Sequence, residues 1–216
     1  MKQKLTIILI IFLFAKCNLM HSQSAISLEA HTIGGHFFGN PNLHYYENNL
    51  DSLGYFCTEP GLMLSYEFYI KDNWLSLQLS TSIFADAAGL TAGFTKFSLR
   101  YMFFHKYRNQ LYIDVAPALT YRRSWDVLGP LYKPEVKYNR NGKVEYRPAL
   151  MLKLEYDIFI GNNNDINMSF LYGNSYKTFS FMLGFRHWLN TNVRFTKDCN
   201  CNHFKKKGFF KRLFKG

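Results

Sequence analysis

Three side chains could share the work of breaking an ester. His36, Ser175 and Glu59 supply a base, a nucleophile and an acid to orient the imidazole, which is the set that nucleophilic catalysis needs. Ser180 offers a second hydroxyl. These residues lie far apart in the chain, so only the fold can bring them together. The competing reading is a histidine at a loop rim beside common polar residues.

A second group is Cys199-Asn200-Cys201-Asn202-His203. It offers two thiols and an imidazole, whereas a closed zinc site takes four ligands. In an oxidising compartment a local disulfide or free thiols fit better, so neither metal nor other cofactor is expected. Cys57, in the first long loop, belongs to the opposite end of the chain's architecture and cannot reach the pair. His187 reads as a replacement for an interfacial aromatic.

The largest set is ionic. Glu29, Glu67, Asp114, Glu145, Glu155 and Asp157 oppose Lys96, Arg100, Arg122, Arg147, Lys153 and Arg186, six of each sign. Balance of this kind suits mutual pairing in a confined interior, where an unpaired charge is costly.

The elements that must carry these groups follow from period. The 216 residues are 48% hydrophobic, 18% aromatic and 19% charged, yet mean hydropathy is −0.18, so apolar and polar residues are interleaved. In WLSLQLSTSI, Leu75, Leu77, Leu79, Thr81 and Ile83 take one face and Ser76, Gln78, Ser80 and Ser82 the other, the alternation of a strand. The same period recurs around 62–70, 97–103, 111–121 and 150–158, and more weakly at 26–37, 166–172 and 178–189, giving eight strands. Short polar turns at 71–73, 105–109 and 161–165 alternate with longer connections at 38–60, 85–89, 126–143 and 173–177. An even strand count with short turns on one side and long loops on the other predicts an all-β, eight-stranded, antiparallel up-and-down transmembrane β-barrel.

Parity of the aromatics favours the membrane over a soluble barrel. On the apolar face, Tyr121, Trp125, Tyr146 and Tyr172 fall toward the long loops, and Phe68, Tyr101, Phe103, Tyr156 and Phe185 toward the short turns. Two aromatic girdles flanking an aliphatic belt mark two lipid interfaces. Pro117 and Pro148 fall inside strands, where a missing donor predicts a bulge or local break near each.

The ends have their own logic. Lys2 and Lys4 precede the apolar run Leu5 to Ala15 and a small, polar stretch, so residues 1–24 read as a signal peptide cleaved after Ser22 or Ser24. Lys16 stands where a lipoprotein signal needs a small residue, which argues against lipidation of Cys17. Of the formal net charge of +11, residues 1–24 hold +3 and residues 194–216 hold +7, leaving the rest at +1. The basicity belongs to the ends, so the folded part has no nucleic-acid footprint. Residues 190–216 are expected as a basic periplasmic tail whose Phe209, Phe210, Leu213 and Phe214 could rest on a membrane surface or on peptidoglycan.

Over 25–189 the chain resembles the small eight-stranded outer-membrane β-barrels of the OmpX and OmpA-transmembrane type, and its Asn- and Tyr-rich strands resemble those of Bacteroidota. The last segment, FMLGFRHWL, is similar to the terminal signal read by the barrel-assembly machinery, with Gly184 and outward positions 187 and 189. It departs in placing His187 where an aromatic is usual and in running 27 residues past Leu189.

The resemblance implies a bacterial outer-membrane location, contact with outer-membrane lipid and lipopolysaccharide, and insertion by that machinery. It also implies a lumen just wide enough to be filled by side chains. A non-enzymatic barrel acting in envelope structure or surface interaction through its outer loops is the reading preferred. The alternative is a lipid A-modifying deacylase or acyltransferase, although the deacylase-type motif, His followed two residues later by Ser-Asn, does not occur.

Overall fold

The computed structural model describes residues 23–38, 41–71, 74–133, 139–175 and 177–189. The expected signal segment up to residue 22 and the basic tail, with Cys199, Cys201 and His203, lie outside the described residues.

The strands are β1 Ser24–Gly35, β2 Phe56–Lys71, β3 Leu75–Ala85, β4 Thr91–Lys106, β5 Asn109–Arg123, β6 Asn139–Asn141, β7 Val144–Gly161, β8 Asn164–Gly173 and β9 Thr178–Trp188. All pairings are antiparallel, and β1 pairs with β9, which closes the sheet. Eight long strands form the barrel. The three-residue β6 is a ninth, pairing with the start of β7 from Asn139↔Tyr146 to Asn141↔Val144, beyond the point where β8 has ended. Asn162 and Asn163, with φ of 51° and 66°, make the tight β7–β8 turn in the left-handed conformation that a two-residue hairpin requires.

The polarity is that of a barrel crossing lipid. Ser76, Gln78, Ser80 and Ser82 of β3 are buried, while Leu79 and Ile83 are more than half exposed. Leu28, Leu64, Leu99, Leu119 and Leu154 continue the exposed belt on other strands. Among the described residues no helix is long and apolar enough to cross a membrane.

Of the two irregularities expected at the prolines, the one at Pro148 is absent and the one at Pro117 is present as a local break. Around Pro148 the β5–β7 register runs without a shift through Leu119↔Pro148, because β8 ends at Gly173↔Met151 and leaves that edge of β7 open, where no donor is needed. At Pro117 the β4–β5 ladder lacks pairing between Lys96↔Ala118 and Leu99↔Val115, but the register is the same on both sides, so there is a break without a bulge. Register shifts occur toward the short-turn ends of β2, β4 and β7 and, at the other end, in β1: His31↔Met182 is followed by Ile33↔Phe181, leaving Thr32 as an extra residue whose hydroxyl donates to the Phe181 carbonyl at 2.9 Å.

The lumen is stacked in layers. At the short-turn end Tyr69 stacks on Trp188, and Tyr112 packs with Trp74 and Met102. The ionic layer follows. Above it comes an apolar septum of Met63, Phe94, Ala116, Met151, Leu171 and Met182, with Phe84 packed against it. These residues occupy positions whose parity reads as the polar face, so the alternation alone does not reveal the septum. The long-loop end is roofed by Tyr46, Cys57, Ala87, Ala88 and Trp125.

Candidate functional site

All twelve charged side chains expected to face the lumen lie on inward positions, and ten of them are buried. Arg100 donates to Glu67 at 2.7 Å through Nη1 and to Glu155 at 2.5 Å through Nη2. Its guanidinium also lies 3.5 Å from the centre of the Tyr112 ring. Arg186 pairs with Asp157 and Glu155 and approaches Glu67 at 3.6 Å, so the two guanidiniums share three carboxylates. Lys153 joins Glu29, at 2.6 Å, and Glu155. Lys96 and Asp114 form a separate pair at 2.8 Å. Higher up, Arg122 meets Glu145 at 3.2 Å, and Arg140 of β6 approaches the same carboxylate at 3.7 Å. Arg147 faces the space above the septum.

That space is a cavity of about 80 Å3 between the septum and the loop roof. Phe84, Phe94, Met151 and Leu171 form its apolar floor, and His36, Glu59, Asp86, Arg122, Arg147 and Ser175 stand on its walls.

Unbroken alternation along β1 would put His36 on the outer face of the barrel, and the structure turns it inward. Thr32 shifts the parity of β1 by one residue, so Gly34 and His36 turn inward where the unbroken alternation puts them outward. The imidazole Nε2 lies 3.1 Å from Glu59 Oε1, and Nδ1 lies 3.4 Å from the Tyr46 hydroxyl. The Glu59 carboxylate rests against Gly34, where a Cβ would collide with Oε2; this is one place where the strand needs glycine. Ser175 and Ser180 line the same cavity, but Ser175 Oγ is paired with Thr120 Oγ1 at 3.5 Å. Of the candidate trio, the fold thus brings His36 and Glu59 into direct contact and puts Ser175 in the same chamber.

Trp125 is also corrected. It is not part of a lipid-facing girdle but is 3% exposed under the roof, where its Nε1 donates to Asp86 Oδ2 at 2.6 Å. The Asp86 carboxylate further accepts from the backbone N–H groups of Ala88 and Leu90. Burial pushes this carboxyl above its usual range, while the Trp125 and Leu90 N–H groups pull it back. Tyr121 does face outward, covering Gly93 and donating to the Ser82 carbonyl at 2.8 Å.

Cys57 is another departure from expectation, because β2 begins at Phe56 and the thiol is buried in the strand, donating to Asn49 Oδ1 at 3.2 Å. The loop before it is pinned by Asp51, whose carboxylate accepts from the backbone N–H groups of Phe56, Tyr55 and Leu53 and is held below the usual range chiefly by the Phe56 bond. His187 is exposed, with Nδ1 at 2.7 Å from Asn164 Oδ1.

Sequence reasoning misses Asp86, Asp165 and His31 as inward polar groups. Asp165 accepts from Trp188 Nε1 at 2.7 Å, and His31 Nε2 pairs with the Ser82 hydroxyl at 2.7 Å while its ring stacks on Phe84. Asp165 begins a strand after a turn and Asp86 sits in a loop, where acids are ordinary. His31 sits in a strand whose weak alternation gives little weight to a single position.

No protein-family model matches the chain. No curated protein matches it. Among solved structures, it is similar to Ail, the attachment invasion locus protein of Yersinia pestis, at 14% identity over 78% of this chain and 99% of that one, with a TM-score of 0.43. It is similar to Neisserial surface protein A at 12% identity over 76% and 96%, with a TM-score of 0.46. For the N-terminal β-barrel domain of Pseudomonas aeruginosa OprF the values are 13%, 77%, 98% and 0.46.

Proposed function

We propose that this outer-membrane β-barrel passes no solute and acts in envelope structure or surface interaction, with recognition at its long-loop end. One observation carries the reading: the lumen is filled in series by a buried ionic layer and an apolar septum. A solute crossing the barrel has to break charge pairs in a confined interior and then open the methionine and phenylalanine packing above them, and each step is costly. The contacts with lipid and lipopolysaccharide, with the assembly machinery and, through the basic tail, with peptidoglycan remain part of this proposal. Purified protein reconstituted in planar bilayers is expected to show no steady conductance. Large, stable single-channel currents would overturn the reading.

A second reading, hydrolysis or acyl transfer on lipid A, is favoured by the contact between His36 and Glu59 in a chamber that also holds Ser175. Because His36 points inward, an acyl chain has to enter the barrel mouth to reach it. Incubation of the purified protein with lipid A, followed by mass spectrometry, separates the readings: unchanged lipid supports the first, and loss or gain of an acyl chain the second.

A further inference from the structure

We propose that the mouth cavity binds small amphipathic amines, with the ammonium group on Glu59 and the apolar body on the septum. This deepens the reading of the long-loop end as the recognition end, and its failure leaves the closed lumen untouched.

The cavity has two ends of unlike chemistry. Its floor is Phe84, Phe94, Met151 and Leu171, three of them buried, and offers an aromatic or aliphatic body a dry contact surface that methionine can adapt to. Its upper wall carries charge, but the charged groups differ in how fully they are used. Arg122 is engaged by Glu145, by the Tyr132 hydroxyl at 2.9 Å and by the Trp125 face at 4.7 Å. Asp86 already accepts from three N–H donors. Glu59 is 4% exposed, and its hydrogen bonding among the described residues is the contact of Oε1 with His36. A carboxylate accommodates more donors than one imidazole supplies, so Glu59 has room for a further donor from the cavity.

The sign of the ligand follows from the wall. Arg122 is taken up by Glu145, and Glu59 and Asp86 put two carboxylates on the wall that also carries Arg147. A cation is therefore favoured over an anion. Tyr46, Trp125 and Tyr132 bring aromatic faces to the same wall, which suits an ammonium further. Size sets the class: a cavity of about 80 Å3 admits a small body, not a peptide or a sugar chain.

The seat is built for the carboxylate. Glu59 occupies the room left by the missing side chain of Gly34, so Gly34→Ala displaces it without touching charge.

The test is calorimetric titration of the full chain in a non-ionic detergent with three probes of one shape, 2-phenylethylamine, 2-phenylethanol and 3-phenylpropanoate. The amine is expected to bind at least roughly tenfold more tightly than the alcohol, the difference a charge-assisted hydrogen bond supplies, and the acid more weakly still. Glu59→Gln is expected to erase the preference for amine over alcohol while keeping the unliganded melting temperature. Gly34→Ala should weaken the amine alone. Equal binding of amine and alcohol by the wild type, unchanged amine affinity in folded Glu59→Gln, or no binding of any probe at millimolar concentration would each overturn the proposal. Should Glu59→Gln fail to fold, the wild-type comparison of amine with alcohol decides by itself.

Discussion

Trp125 donates its indole N–H to Asp86 at 2.6 Å and thereby ties the β5–β6 connection to the β3–β4 connection across the mouth of the barrel. The indole also packs against Tyr46 from the first long connection, so one side chain joins three loops into a roof. Trp125→Phe keeps most of the apolar contact and removes the donor. Leaving the buried Asp86 oxygen without that partner is expected to cost about 1–3 kcal/mol of roof stability. Limited proteolysis reads this directly: cleavage in the loops should become faster while the strands stay protected. Unchanged cleavage would mean that the roof is held by packing alone.

The orientation of the barrel follows from the lengths of its connections. The 36–55 and 124–143 connections lie at one end and the tight turns at 107–108 and 162–163 at the other. Long loops face outward in barrels of this type, and the termini face the periplasm. Cysteine probes at Asn48 and Gly142 should be labelled in intact cells, and a probe at Asn163 only after the outer membrane is permeabilised. The opposite pattern would invert the topology.

Much of this architecture is legible in the chain because lipid on one side and side chains on the other impose a strict two-residue period. Leu75 to Ile83 carries enough of that period to fix both the strand and its faces. What escapes the period is local. Thr32 looks like any strand residue, yet as an extra residue in β1 it reverses the parity of everything after it and turns His36 from the outside to the cavity. The septum escapes for another reason: Met63, Met151 and Met182 are inward residues that happen to be apolar, and alternation records only differences between faces. Trp125 follows the end of β5, where strand parity no longer applies. The pairing of Lys96 with Asp114 was foreseeable as balance of charge, but not as a particular contact, because partners across a barrel are set by register.

The exposed leucines give a quantitative test of the membrane reading. Leu152 is 41% exposed on the outer face of β7, while Ser80 is buried on the inner face of β3. Leu152→Arg and Leu77→Arg are expected to cost about 2–4 kcal/mol if they lie at mid-bilayer, since the guanidinium has to stay in hydrocarbon or distort the bilayer. Folding equilibria in lipid vesicles measure this. Tolerance equal to that of an exposed loop position such as Gly142→Arg would count against a lipid-facing belt.

Lys96 and Asp114 provide the cleanest test of the ionic layer, because the ammonium meets both carboxylate oxygens, at 3.0 and 2.8 Å, inside the wall made by β4 and β5. Both side chains are buried. Removing one partner leaves the other charged and unmatched in a dry interior, a loss of about 3–5 kcal/mol. Lys96→Met and Asp114→Leu alone should therefore lower the melting temperature in detergent markedly. The double variant fills the same space with apolar atoms, on the face of β5 that carries the septum residue Ala116 two positions from Asp114. It is expected to melt close to the wild type, since replacing a whole buried pair is often neutral. A double variant that loses the sum of the two single effects would show that each charge is held by the wider network of Glu29, Lys153 and Glu155, and that the layer melts as one unit and not pair by pair.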